Sequence, residues 1–180
     1  WPDKAPVAAS ARAPVPLPPH EEKILANGLK VIVAPDAKSP IVIAKLAFRA
    51  GAWTETKPAA AGLAMAMLDK GTAKQSQAEF AEELETYAIG LDAGASDDDA
   101  TVDVACLAEH AERALRLLAE AVQRPTFADP EWLKLKARHL TSLRIQLSNP
   151  GTLAGRELSR RIFGTHPYAR PTDGDPADVE

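Results

Sequence analysis

Apolar residues along this chain recur at two spacings, and the alternation between them predicts a mixed fold. Lys23–Leu25 and Leu29–Val33 flank Ala26-Asn27-Gly28. Asn-Gly readily takes positive φ, so this stretch predicts a β-hairpin. Ile41–Phe48 is an almost unbroken apolar run interrupted by Lys45, which predicts a strand buried on both faces. A loop bracketed by Gly51 and Pro58 leads into a short alanine-rich helix near Ala60–Leu68. Ser76 and Glu79 then have capping-box spacing. The helix they open carries Phe80, Leu84 and Tyr87 on one face and is expected to stop at Gly90. Leu91–Ala95 and Ala100–Leu107 read as paired strands joined through Ser96-Asp97-Asp98-Asp99. Helical spacing returns with Ala111, Leu115, Leu118 and Val122 and runs to Pro125. A long helix begins at Asp129-Pro130, with Trp132, Leu135, Leu140, Leu143 and Leu147 as its apolar positions, and ends by Asn149-Pro150. A further helix spans Thr152–Phe163. The order β-β-β-α-α-β-β-α-α-α predicts an α+β fold, a mostly antiparallel sheet with helices packed on one side.

Composition narrows the function classes. The 180 residues are 46% hydrophobic, enough for the core of one ordinary domain. No apolar run is long enough to span a bilayer. A net charge of -4 with dispersed Lys and Arg lacks the basic footprint of a nucleic-acid binder. The single cysteine, Cys106, excludes an internal disulfide framework. Its alternation with Val102 and Val104 marks it as a buried small hydrophobe. Six of the fifteen prolines fall within the first nineteen residues. They fix φ and remove amide donors, predicting an extended arm over residues 1–21 ahead of a domain over 22–180. The start at Trp1 fits removal of an upstream segment, by signal cleavage or by trimming. With so little cysteine, a periplasmic or secreted location is expected, with the cytoplasm as the alternative. The closing stretch, HPYARPTDGDPADVE, is rich in turn residues and has no closing element, as in a chain cut short.

Most catalytic constellations are absent. There is no G-x-S-x-G elbow, no G-x-x-x-x-G-K phosphate loop and no G-x-G-x-x-G. Asp97, Asp98 and Asp99 are adjacent carboxylates that point apart, which suits a solvated loop better than a calcium site. His20, His110, His139 and His166 include no pair at the i, i+4 spacing of a zinc-binding helix. Glu109, His110 and Glu112 would hold a metal only with ligands from elsewhere. A helix start that favours acidic groups explains them more simply.

Several strings, taken in order, resemble the N-terminal domain of the M16 (pitrilysin/insulinase) metallopeptidases. They are LANGLKVIVAPD, AFRAGAWTE, GLAMAMLDKGT, RPTFADPEWLKLKARHL, QLSNP and FGTHPYARPTDGD, and the likeness covers roughly residues 22–175. The resemblance implies an α+β domain of the M16/LuxS-like metallohydrolase type, normally followed by a second related domain. In that family the two halves close around an extended peptide.

The resemblance fails at the catalytic motif. Active members resemble G-L-A-H-x-x-E-H-x-x-x-K-G-T, in which two histidines bind zinc and the glutamate activates water. Here Gly62-Leu63-Ala64 and Lys70-Gly71-Thr72 survive as flanks, but the middle is Met65-Ala66-Met67-Leu68-Asp69 and is three residues shorter. Counting from either flank brings Met65 or Ala66 to the ligand positions. The third ligand, a Glu on the long helix, falls near Ser142. Thioether, methyl and hydroxyl groups do not replace imidazole and carboxylate around zinc. No catalytic or metal-ligating residue is therefore expected in this chain.

Members without the motif resemble noncatalytic subunits that pair with a zinc-bearing homologue. The implied partners are that homologue and an extended peptide, the zinc residing in the partner. By resemblance the peptide would lie along Leu91, Asp92, Ala93, Gly94 and Ala95; the alternative there is a purely structural strand. The alternatives are a structural scaffold without peptide handling, or an active zinc endopeptidase with ligands not recognisable here. Met65 and Met67 are expected to fill the space of the lost metal site. Glu55 is expected to make a structural hydrogen bond or stand as a solvated charge rather than to act in catalysis, and Trp53 to pack in the core rather than anchor a partner.

Overall fold

A computed structural model describes residues 17–179. The chain divides after Ser39 into two compact units. Residues 1–16 of the proline-rich arm lie outside the described residues.

The first unit carries the expected hairpin. Strands β1 (Glu21–Ile24) and β2 (Lys30–Val33) pair antiparallel, with β1 starting two residues earlier than its apolar pattern suggests. Gly28 takes φ 85°, and its amide donates to the Leu25 carbonyl at 2.9 Å. Asn27 Oδ1 accepts from the Leu29 amide, so each half of the Asn-Gly pair has its own task in the turn.

The second unit, from Pro40 onward, is built on a three-stranded antiparallel sheet of order β3-β5-β4. These strands are Ile41–Phe48, Ala100–Leu107 and Gly90–Ala95 respectively. Alternation along central β5 sorts the two faces. Ala100, Val102, Val104 and Cys106 are buried, whereas Ala105 and Leu107 are exposed. Helices α1 (Ala60–Ala66), α2 (Gln77–Thr86) and α3 (Ala111–Gln123) pack on this sheet. Phe80, Ala114, Leu117, Leu118 and Ala121 join the strand residues in one core. Burying a side chain of the size of Phe80 or Leu117 is worth roughly 1.5–3 kcal/mol, so this cluster dominates the unit's cohesion.

Strand β3 corrects the expectation that it is buried on both faces. Val42, Ala44, Leu46 and Phe48 face the core, but Ile43 on the other side is 74% exposed and Ile41 is also exposed. Helices cover a single face, so a continuous apolar run here does not mean double burial. On the open face Lys45 pairs with its register partner Asp103 at 3.2 Å.

The capping box at α2 is complete. Ser76 Oγ accepts from the Glu79 amide, and Glu79 Oε2 accepts from the Ser76 amide at 2.8 Å. The helix ends at Thr86 rather than running to Gly90. Ala88 takes the left-handed φ of 47°, and the Ile89 amide returns to the Leu84 carbonyl, which frees Gly90 to open β4. In α3 the buried stripe is Ala114, Leu117, Leu118 and Ala121, and Leu115 is exposed, so the apolar face is rotated from the expected one.

Helices α4 (Asp129–Leu147) and α5 (Pro150–Phe163) follow. The former contributes Leu135 and Leu143 to a second buried cluster with Ala59, Leu63, Met67 and Val179. Asn149 caps the latter by accepting from the Gly151 amide at 2.8 Å. The turn-rich tail is tied down. It forms a 3-10 turn over Pro167–Ala169 and a short helix α6 (Pro176–Val179). Arg156 on α5 forks onto Asp173 and Asp175 at 3.0 and 2.5 Å.

Candidate functional site

The degenerate motif lies on α1, which packs against β4 and β5. Its N-terminus is capped from a distance. Ala59 has φ 68° and no side-chain oxygen, and Glu55 supplies what it lacks. The carboxylate accepts from the Ala59 amide at 3.1 Å and from the Ala61 amide at 2.9 Å. Two orphan amides of the first turn and the positive end of the helix are thereby satisfied. Glu55 thus makes the structural hydrogen bonds expected of it.

The three ligand positions go separate ways. Met65 is half-buried and packs against the sheet cluster. Ala66 packs against the second cluster, where its neighbour Met67 is only 2% exposed beside Leu135 and Leu143. Ser142 lies on the exposed side of α4, accepting a 3.4 Å hydrogen bond from Gln146, while fully buried Leu143 turns inward. Asp69, the one carboxylate of the segment, is engaged by Lys70 at 2.7 Å. Catalytic zinc needs three imidazole or carboxylate ligands and an open position. A half-buried thioether, a methyl group and a solvent-facing hydroxyl do not fit it. Among the described residues no group of three or more His, Cys, Asp or Glu is placed to hold a metal ion.

The histidines are dispersed in structural contacts. His110 stands edge-on to the Tyr87 ring with centroids 5.2 Å apart and lies 3.8 Å from Glu109. His139 bonds the Asp173 carbonyl at 2.9 Å, and His166 accepts from the Tyr168 amide at 3.2 Å. His20 contacts the Pro18 carbonyl at 3.0 Å. Cys106 is buried, and that burial pushes its thiol up, away from nucleophilic character.

Strand β4 gathers Leu91, Asp92, Ala93, Gly94 and Ala95 at one border of the sheet. Its partner is β5 alone, and among the described residues no backbone hydrogen bond reaches its outer side. Leu91 and Ala93 pack against the core and Ala95 is half-buried, while Asp92 and Gly94 are exposed. A Cβ added at Gly94 would meet open space. The opposite border strand, β3, carries Lys45 among its residues, a charge of the kind that discourages an incoming strand. Small residues and glycine on β4 instead permit close backbone approach.

Two features near this border escape periodicity. Trp53 is 50% exposed rather than in the core, and its indole N–H donates to the Asp98 carbonyl at 3.3 Å. Tyr168 donates its hydroxyl to Asp98 Oδ1 across 70 positions of sequence. That bond and the adjacent acidic turn push the Tyr168 phenol up. Its only advance signal was its place in the HPY string.

Comparison with known proteins agrees with this geometry. Residues 30–175 match the family described as Insulinase (Peptidase family M16). A curated relative, the Non-peptidase homolog YmxG of Helicobacter pylori (strain ATCC 700392 / 26695), is 28% identical over 143 residues, which are 78% of this chain and 33% of that protein. Among solved structures, a peptidase M16 inactive domain from Pseudomonas fluorescens superposes with a TM-score of 0.84 at 33% identity, covering 89% of this chain and 40% of that one. A protease from Helicobacter pylori shares the fold, with a TM-score of 0.83 at 20% identity over 91% of this chain and 40% of that one. The chain thus spans between a third and two-fifths of these relatives. From residue 30 to residue 175, through a sheet and helices of the same arrangement, it belongs to the insulinase (peptidase M16) family.

Proposed function

We propose that this chain is part of a noncatalytic subunit of a two-chain M16 peptidase, acting in the periplasm or outside the cell. It holds an extended peptide along β4 while a zinc-bearing homologue performs the hydrolysis. The observation that carries this is the pairing of an α1 without imidazole or carboxylate at its ligand positions with a border strand, Leu91, Asp92, Ala93, Gly94 and Ala95, whose one strand partner among the described residues is β5. An extended peptide that adds to such an edge gains a ladder of main-chain hydrogen bonds, largely independent of its sequence. The description of one relative as a non-peptidase homologue and of another as an inactive domain supports the noncatalytic part.

The test is cleavage of an unstructured peptide by the isolated protein, by the zinc-bearing homologue and by their mixture. Chelator-sensitive cleavage is expected to require the mixture. The same peptide with methylated backbone amides is expected to resist cleavage, because its donors to β4 are gone. Chelator-sensitive cleavage by the isolated protein would overturn the proposal. An intact pair that binds no peptide would replace peptide holding with a scaffold role.

A further inference from the structure

The turn between β4 and β5 is held from two sides by segments remote in sequence. Within the turn, the Ser96 amide donates to the Asp99 carbonyl at 2.7 Å. Ser96 Oγ gathers the Asp98 and Asp99 amides at 3.2 Å each and donates to Asp99 Oδ1 at 2.6 Å. The outward carbonyls of the turn are then taken by the loop after β3. The Ala52 amide donates to the Ser96 carbonyl and the Trp53 amide to the Asp97 carbonyl, both at 3.0 Å. The Trp53 indole takes the Asp98 carbonyl. Gly51 makes this approach possible, since a Cβ there would fall 2.3 Å from the Asp97 oxygen. From the other side comes Tyr168, bonded to the Asp98 carboxylate.

Tyr168 is itself fixed. Its ring meets Phe163 edge-on at 5.5 Å and His166 at 4.5 Å, and His166 accepts its amide. The 3-10 turn that carries it follows α5, whose Arg156 anchors the loop beyond. The exposed β4–β5 turn would otherwise rest on its own hydrogen bonds alone, and exposed hairpin ends fray easily.

We propose that Tyr168 is a positioning residue for peptide recognition. Its bond to Asp98, with the Gly51–Trp53 cradle opposite, holds the β4–β5 turn and thereby keeps the β4 edge straight and ready for a peptide strand. This rests on the proposal that β4 is the peptide edge. Strand addition rewards an edge that is already ordered, because ordering it on binding costs conformational entropy.

The experiment uses the full protein with Tyr168→Phe, Asp98→Ala, Asp98→Asn and Gly51→Ala variants. Two quantities are read: amide exchange over residues 94–99, and the Kd of a fluorescently labelled unstructured peptide. Loss of one hydrogen bond to a charged group is expected to speed exchange and weaken peptide binding by about tenfold each in Tyr168→Phe and Asp98→Ala, with exchange elsewhere unchanged. Asp98→Asn keeps a carbonyl oxygen to accept the phenol and is expected to restore both readouts. Gly51→Ala displaces the turn from the opposite side and is expected to match Tyr168→Phe. Unchanged exchange in Tyr168→Phe would overturn the clamp. Faster exchange with an unchanged Kd would overturn its role in positioning. A wild-type protein that binds no peptide would overturn the underlying reading of β4, and with it the positioning role.

Discussion

At the residue scale, the vanished metal site has been replaced by packing. Met67 is enclosed by Leu63, Leu135 and Leu143, and its flexible thioether fills the gap between α1 and α4. Met65 serves the other cluster, so the two methionines do not form a single plug. Met67→Ala is expected to destabilise the fold by about 2–5 kcal/mol, read from the urea midpoint, and Met65→Ala by less because it is half-buried. Peptide binding per folded molecule is expected to be unchanged in both. Equal stability of wild type and Met67→Ala would show that this packing does not support the fold. Glu55 teaches a related lesson. An acidic residue in a family string invites a catalytic role, yet its two oxygens are fully used in capping α1.

At the element scale, α2 and α3 are joined by a charged cluster that makes the fold sensitive to acid. Glu83 accepts from Gln75 at 2.6 Å and from Arg113 at 2.5 Å, and Arg113 in turn lies 3.9 Å from the centre of the Tyr87 ring. Burial pushes the Glu83 carboxyl up, but the bonds from Gln75 and Arg113 outweigh it and the net shift is downward. Glu79 is also lowered, first by the Ser76 amide and then by the Ser76 hydroxyl. A carboxyl depressed by folding contributes stability above its unfolded-state pKa and loses it as pH falls through the folded value. Stability is therefore expected to decline below the ordinary carboxylate range, with a shallower decline in Glu83→Gln. Urea midpoints measured across that range would check this, and parallel acid limbs for the two proteins would remove Glu83 from the explanation. The capping box was legible at this scale because Ser76 and Glu79 act within one turn. The left-handed Ala88 was not, because only the path into β4 demands it.

At the scale of the whole molecule, both buried clusters are built from residues after Ser39. A protein beginning at Pro40, which keeps every residue of both clusters, is expected to unfold in one cooperative transition, measured by circular dichroism. A melt without a cooperative transition would show that the two clusters do not hold residues 40–180 together. The sequence by itself determined the element order as far as α5, the hairpin turns, the capping box and the loss of zinc ligands, but not the short helix α6 in the tail. Each of these depends on residues close together in the chain or on the side-chain chemistry available. Tertiary structure alone decided which face of β3 is open and where Met65 and Met67 go. It also decided that β4 lies at a border of the sheet and that Tyr168 reaches Asp98. Those outcomes depend on which surfaces meet across long separations, and local periodicity is the same whichever partner arrives.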